Sequence, residues 1–427
     1  MVTVEHELPE RNARYYGWRV VLAANLGILV GFSLYAYTFG IFVKPLSASF
    51  GWNRETISGG FALSALAAAI CSPLGGRWLD RYGPREIILA CTAAFGCAIA
   101  SMGLLTSRVW QFYLTCLIIG AVGNITQMGY AHAISSWFQE YRGTALGLVL
   151  AGDGIGLMIF PVLAQTLVAD SGWRTGYTVL GSLVIVLGLP LAFPYARARS
   201  QDGKTRDGVR EAGSTWQEGL RSYSFWIIVA VLFLASISLN GAMTHQVPLL
   251  TDRGVGARSA ALTVSVLGGA SLVGRLLTGW LLDRLPGSRV GFALLLAASS
   301  GIFMLSRLAT FPVGCVAAVL LGIGGGGTSS TTPYLLTRYF GLKSFSTLYG
   351  LTWTFYAIAG GAGPVILGRV FDHSGSYTAA LTVLGFMSLL AAGLMLLLPR
   401  YPEAQEPVGF DDNLSNPMLA ADSGASA

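Results

Sequence analysis

Two residues of opposite charge stand inside long apolar stretches of this chain, Asp153 in Gly152-Asp153-Gly154 and Arg275 in Gly274-Arg275. A carboxyl group in such surroundings can bind and release a proton, and a guanidinium fork fits the geometry of a carboxylate. Asn124, Asn240, Tyr356, His132 and His245 are the softer polar groups of comparable stretches. Other chemistries find no support. The five cysteines, Cys71, Cys91, Cys97, Cys116 and Cys315, form no CxxC pair and read as small packing residues. The four histidines are scattered, and no HExxH or GxSxG pattern occurs, so no metal, cofactor or enzymatic function is expected. The run Gly322 to Gly327 lacks the Lys-Ser/Thr of a phosphate-binding loop and reads as a place for bending or close packing.

The elements that must hold these groups follow from composition. Of 427 residues, 53% are hydrophobic and 11% charged, where a soluble domain carries roughly 25% charged residues. Mean hydropathy is +0.60. Soluble, disordered and nucleic-acid-binding classes are excluded, and a protein embedded in a lipid bilayer remains. A crossing helix needs about 20 mostly apolar residues. Twelve such runs are present: Val20–Val43, Ile57–Leu79, Ile87–Leu105, Phe112–Trp137, Thr144–Val168 and Gly176–Tyr195, then Phe225–Leu250, Ala260–Leu282, Val290–Leu305, Val313–Leu336, Phe345–Val370 and Tyr377–Leu398. They are too long and continuous for strands of a barrel. The polar start, with Glu5, Glu7, Glu10, Arg11 and Arg14, does not resemble a cleavable signal.

Basic residues set the orientation. With the N-terminus inside, eighteen Lys and Arg fall on the inner side and eight on the outer, which puts both termini in the cytoplasm and explains much of the net charge of +6. The longest hydrophilic interval, 196–222, reads as a linker. Expected segments are a tail over 1–15, a six-helix bundle over 16–195, the linker, a second bundle over 223–399 and a tail over 400–427.

Across the linker the chain repeats itself 203 positions later. Gly76-x3-Asp80-Arg81 recurs as Gly279-x3-Asp283-Arg284, Gly147 maps to Gly350 and Pro161 to Pro364. Two duplicated halves with a site between them at mid-membrane are the plan of a secondary transporter. Gly76 and Gly279 allow close helix approach. Asp80 and Asp283, at helix ends, can accept bonds from a neighbouring helix N-terminus or an arginine, contacts able to form in one state and break in another. Gly83, Arg81, Arg85 and Arg284 belong to the same gating loops, although the arginines alone would also serve as topology determinants.

Gly76-x3-Asp80-Arg81-x-Gly83-x-Arg85 resembles the signature loop of the major facilitator superfamily, and the twelve-span layout is similar too. Within it, Tyr16-Gly17-Trp18, Phe50-Gly51-Trp52-Asn53-Arg54 and Tyr339-Phe340-Gly341 resemble the monocarboxylate transporter branch and its bacterial relatives. The resemblance implies an all-α membrane protein of two pseudo-symmetric six-helix bundles, with spans five and eight facing each other. Asp153 lies eleven residues past Arg142, roughly 16 Å inward, and Arg275 eight before Asp283, roughly 12 Å inward. The two are therefore able to approach. Arg275 matches the arginine that binds substrate carboxylate in that branch; a structural ion pair is the competing reading. Animal members carry an aspartate where this chain has Ser271, and a lysine in span one where the count falls near Tyr37. Asp153, at a position where relatives more often have a small neutral residue, is the candidate proton acceptor, with a constitutive helix tie as the alternative. Asn124, Asn240 and Tyr356 (the repeat mate of Asp153) are candidate substrate contacts, with a bond to a neighbouring helix the equal alternative for the two asparagines. His245, near the outer end of span seven, is a candidate relay or interfacial histidine, and His132 reads as structural.

The expectation is thus a multi-pass cell-membrane carrier, working as a monomer by alternating access, that moves a small monocarboxylate with a proton. An exchanger or exporter of another organic anion or drug is the alternative. No nucleic-acid partner is expected.

Overall fold

The computed structural model describes residues 8–195, 213–307 and 310–401. Most of the expected linker, the first seven residues and the tail beyond Tyr401 lie outside the described residues. Thirteen α-helices make up nearly all of the rest: α1 Tyr16–Leu29, α2 Phe32–Phe50, α3 Arg54–Tyr82, α4 Pro84–Met102, α5 Val109–Trp137, α6 Arg142–Tyr195, α7 Trp216–Arg221, α8 Tyr223–Asp252, α9 Ala257–Leu282, α10 Gly287–Arg307, α11 Phe311–Phe340, α12 Phe345–Ser374 and α13 Thr378–Leu396. Among the described residues, eleven helical stretches are long and apolar enough to cross a membrane, with α1 and α2 counted as one.

At 54 residues, α6 would be roughly 80 Å long if straight, against a hydrocarbon core of about 30 Å. It folds back at Gly172, whose φ of 81° and ψ of 164° suit glycine alone. Its second leg returns beside α4, where Arg174 Nη1 donates to the Gly103 and Leu105 carbonyls at 3.0 and 2.9 Å. The Trp173 indole holds the elbow to Ser49 at 2.8 Å. Among the described residues this makes twelve helical stretches able to cross a membrane, in two bundles of six.

Sequence apolarity marks the hydrocarbon rather than the helix ends, so several helices outrun their expected spans; Val20–Val43 becomes Tyr16–Phe50. This first span is also not one helix. It breaks at Val30 and Gly31 and restarts at Phe32, a departure from the expected continuous run that matters for the site. At the other end of α3, Gly83 turns at φ 84° and Pro84 starts α4 with its preset φ. The end of the expected linker is ordered as α7, whose Thr215 and Glu218 close a capping box.

Large apolar side chains such as Leu22, Ile70, Val162 and Phe386 stay exposed on the outside, which suits lipid contact for a bundle that lies in a bilayer. Tyr15 bonds the Trp137 carbonyl, and Tyr401 accepts from the Gly287 amide at 2.8 Å. Both ends of the described chain thus lie on one face, called here the terminal face.

Candidate functional site

Midway through the bundle, α6 of the first half and α9 of the second bring Asp153 and Arg275 together, with Arg275 Nη2 2.5 Å from Asp153 Oδ2. Both side chains are largely withdrawn from solvent, at 11% exposure for Arg275 and 19% for Asp153. The break in the first span explains the rest of the environment. Restarting at Phe32 puts Ser33 and Tyr37 one helical turn apart on α2; the Ser33 hydroxyl donates to Asp153 Oδ1 and the Tyr37 hydroxyl to Oδ2 at 3.3 Å. A helix N-terminus also favours a nearby negative charge. Asp153 is therefore met by a guanidinium and two hydroxyls beside a helix start. A Cβ at Gly154 would sit 3.1 Å from Arg275 Nη1, so this glycine leaves room for the guanidinium.

The pair is not fully satisfied. Arg275 Nε is buried and has no acceptor. An unmade bond on a buried polar group costs about 1–3 kcal/mol, and more when the group is charged. Nε and Nη2 share one edge of the guanidinium, the edge a carboxylate grips with both oxygens. Asp153 takes only half of it.

The second half also holds a partly open pocket. Its walls come from α8, α11 and α12: Leu232 and Leu239, the hydroxyl-bearing Thr328, Ser329, Thr332 and Thr352, and an aromatic side of Tyr349, Trp353 and Tyr356.

Toward the terminal face the halves are clasped twice. Asp80 accepts from the Ser346 and Thr347 amides, each at 2.9 Å, and from the Thr347 hydroxyl at 2.6 Å. Asp283 accepts from the Gly143 and Thr144 amides at 2.6 and 2.8 Å, and from the Thr144 hydroxyl at 2.5 Å. In each case a carboxylate caps the first turn of a helix of the other half. Burial pushes the Asp283 carboxyl up from the ordinary range, while the bonds from Thr144 and Gly143 pull it back. A Cβ at Gly279 would lie 2.6 Å from the Gly143 carbonyl oxygen, and one at Gly76 would overlap that of Ser346. Among the described residues, every hydrogen bond between halves lies level with the ion pair or on its terminal-face side. The halves are closed at that face.

The remaining candidates are dispersed. Arg85 stays within its own half, its Nε 3.0 Å from the Phe193 carbonyl. Arg81 and Arg284 are exposed and lie over Tyr82 and Trp280 of their own helices. Asn124 is buried and donates to Ser72 at 2.9 Å, a tie between α5 and α3, and Asn240 turns back to the Ser236 carbonyl at 2.9 Å; neither bonds the ion pair. His245 Nε2 is 3.1 Å from the Pro364 carbonyl oxygen and its ring leans on Tyr377. His132, read as structural, bridges the halves: its Nδ1 is 2.8 Å from Ser346 Oγ and 3.7 Å from Asp80. Ser33 and Tyr37 were not foreseen as partners of Asp153. The available signal was Gly31 in mid-span, followed by two hydroxyl groups four residues apart. The glycine run in α11 packs against α9, where a Cβ at Gly326 would overlap the Ser271 carbonyl.

The family model described as Major Facilitator Superfamily matches residues 23–364. A rat protein named monocarboxylate transporter 13 is 27% identical over 397 residues, covering 90% of each chain. Among solved structures, the Escherichia coli fucose:proton symporter FucP superposes with a TM-score of 0.70 at 15% identity, covering 90% of this chain and 99% of its own. The proton:xylose symporter XylE superposes with a TM-score of 0.72 at 14% identity, covering 90% and 96%.

Proposed function

Because the chain belongs to the major facilitator superfamily, and so is a membrane transporter in kind, we propose that it carries a small monocarboxylate together with a proton. The observation that carries this reading is the half-gripped guanidinium: Asp153 holds Arg275 through Nη2 while Nε on the same edge lacks an acceptor. An arriving carboxylate offers two oxygens to that edge and so competes with Asp153 for it. Asp153 then loses its cation in a low-dielectric setting and takes up a proton. Arg275 with its bound carboxylate, and Asp153 with its proton, form a neutral set that can cross as the halves rock. Once the substrate leaves, Arg275 reclaims Asp153 and the proton departs.

Rocking requires the clasps at Asp80 and Asp283 to open. The bias of basic residues supports a cytoplasmic terminal face and a cell-membrane location, and relatives named monocarboxylate transporters support the charge of the cargo. The test is purified protein in liposomes, a panel of radiolabelled carboxylates and an imposed pH gradient. Uptake driven by an acidic exterior, lost in Arg275→Gln, is the expected result. Uptake of neutral compounds alone, or undiminished flux in Arg275→Gln, would overturn the reading.

A further inference from the structure

Tyr16-Gly17-Trp18, a motif that the transport reading leaves unused, belongs to a brace on the terminal-face gate. The chain enters α1 through consecutive turns: the Asn12 amide donates to the Pro9 carbonyl at 2.8 Å, Tyr15 to Asn12 at 2.9 Å and Trp18 to Tyr15 at 3.1 Å. These turns bring Trp18 back over Glu10. The indole Nε1 donates to the Glu10 carbonyl at 3.0 Å, and the ring meets Phe138 edge to face at 4.8 Å. The Tyr15 hydroxyl donates to the Trp137 carbonyl at 2.5 Å. A Cβ at Gly17 would lie 2.9 Å from the Phe138 ring, so glycine here lets α1 settle against the end of α5.

Anchored in this way, the half-buried Glu10 reaches the loop between α5 and α6. Its Oε1 accepts from the Gln139 amide at 2.7 Å, and its Oε2 from the Glu140 and Tyr141 amides at 3.0 Å each. Arg142 closes the same turn by donating Nε to the Phe138 carbonyl at 2.9 Å. The next amides, of Gly143 and Thr144, go to Asp283 of the other half. Two carboxylates, one from each half, therefore share the positive end of α6. Asp283 must let go when the halves rock, whereas Glu10 and its loop move as parts of one half. The repeat position of Glu10 is Gly213, which bridges to Gly341, while the Ser214 amide donates to the Phe340 carbonyl at 2.9 Å. The corresponding loop of the second half is thus braced through backbone.

We infer that Glu10 is a positioning residue of the gate: it holds residues 139–141 so that the Gly143 and Thr144 amides meet Asp283 each time the terminal face closes. The inference stands apart from the identity of the cargo and from proton coupling.

The ratio of open to closed carriers at the terminal face, read from spin-label distances across the α6–α9 gate of the full-length protein, tests it. Glu10→Gln keeps the bulk and one acceptor oxygen but turns N–H groups toward the amides. The ratio should rise about fivefold, the worth of roughly one hydrogen bond lost from the lock. Glu10→Asp, which retains the carboxylate, should fall nearer the unaltered protein. Residues of one network act non-additively and separate sites additively. Added to Asp283→Ala, which removes the clasp that Glu10 serves, Glu10→Gln should therefore change the ratio little; added to Asp80→Ala it should multiply the ratio by about the same fivefold. An unchanged ratio in Glu10→Gln with lowered thermal stability would make Glu10 a structural tie only. A fivefold rise on top of Asp283→Ala would show that it acts independently of that clasp. Either result overturns the inference.

Discussion

Asp80 and Asp283, 203 positions apart, hold the two halves together by the same three bonds. Each takes two backbone amides and one threonine hydroxyl from the other half, and the donors are themselves 203 positions apart: Gly143 and Thr144 on one side, Ser346 and Thr347 on the other. The duplication is thus expressed as a reciprocal lock, in which each half supplies one carboxylate and one helix start. Three charge-assisted bonds fail together when a helix tip withdraws by an ångström or two, which suits a gate with two positions.

Replacing either carboxylate should weaken the lock without harming the bundles. For Asp80→Asn and Asp283→Asn we expect the closed terminal face to lose about 1.5–3 kcal/mol each, the value of bonds to a charged acceptor. The population open at that face would rise about ten- to hundredfold. Distances between spin labels across the two gates would report it. The gates differ in one respect: His132 reaches Ser346 and Asp80, whereas Leu335 stands at its repeat position. His132→Leu should therefore loosen the Asp80 clasp and leave the Asp283 clasp as it was. Equal loosening of both would contradict this geometry.

Closure also depends on the backbone of α9 lying directly on the start of α6. In Gly279→Val the new side chain meets the Gly143 carbonyl at 2.6 Å from its Cβ, a distance that backbone must yield to. The expected outcome is a carrier held open at the terminal face, with transport reduced at least about tenfold. Cysteines introduced at the gate would become reactive to polar thiol reagents. Unimpaired transport would mean that the halves never approach as closely as this.

How much of this could be read from the chain divides along physical lines. Twelve crossings, the two halves and the Asp80 and Asp283 loops were legible, because hydropathy over 20 residues and a repeat at fixed offset are properties of sequence alone. The approach of Asp153 to Arg275 followed from counting helix rise from two loop charges, with the facing of spans five and eight supplied by family resemblance. What escaped notice depended on a local break or on packing. The restart at Phe32 hides in a run that is apolar on both sides of Gly31, so nothing in the sequence paired Ser33 and Tyr37 with Asp153. For Asn124 and Asn240 the choice between cavity lining and a helix bond stays open in the sequence; their amides bond Ser72 and the Ser236 carbonyl, because which neighbour an amide finds is decided by helix rotation, and hydropathy does not record rotation in a span apolar all round.

Arg85 separates two roles that the loop motif leaves combined. Its bond to the Phe193 carbonyl and its position over the Phe193 ring, 4.6 Å from the centroid, lie wholly inside the first half. Arg85→Gln should lower thermal stability by about 1–2 kcal/mol, for one charge-assisted bond and one cation–π contact. The spin-label distances across the gates should not change. A shifted gate population in this variant would assign Arg85 to the clasp after all.

The ion pair makes the sharpest demand. Breaking a buried pair by removing one partner costs about 3–5 kcal/mol, because the other charge is left uncompensated, while removing both is often nearly neutral. Asp153→Asn and Arg275→Gln should each destabilise the folded transporter, and the double variant should recover most of the loss, as read by thermal unfolding in detergent. Transport should separate them further. Asp153→Asn has no group left to take the proton, so uptake driven by an acidic exterior should disappear while exchange of labelled for unlabelled substrate continues. Arg275→Gln should lose both activities, since the carboxylate then has no cation to meet. The double variant, although stable again, should remain inactive. This pattern assigns the pair to transport: a purely structural tie would return activity along with stability, and a pH dependence that survives Asp153→Asn would remove that carboxylate from the coupling.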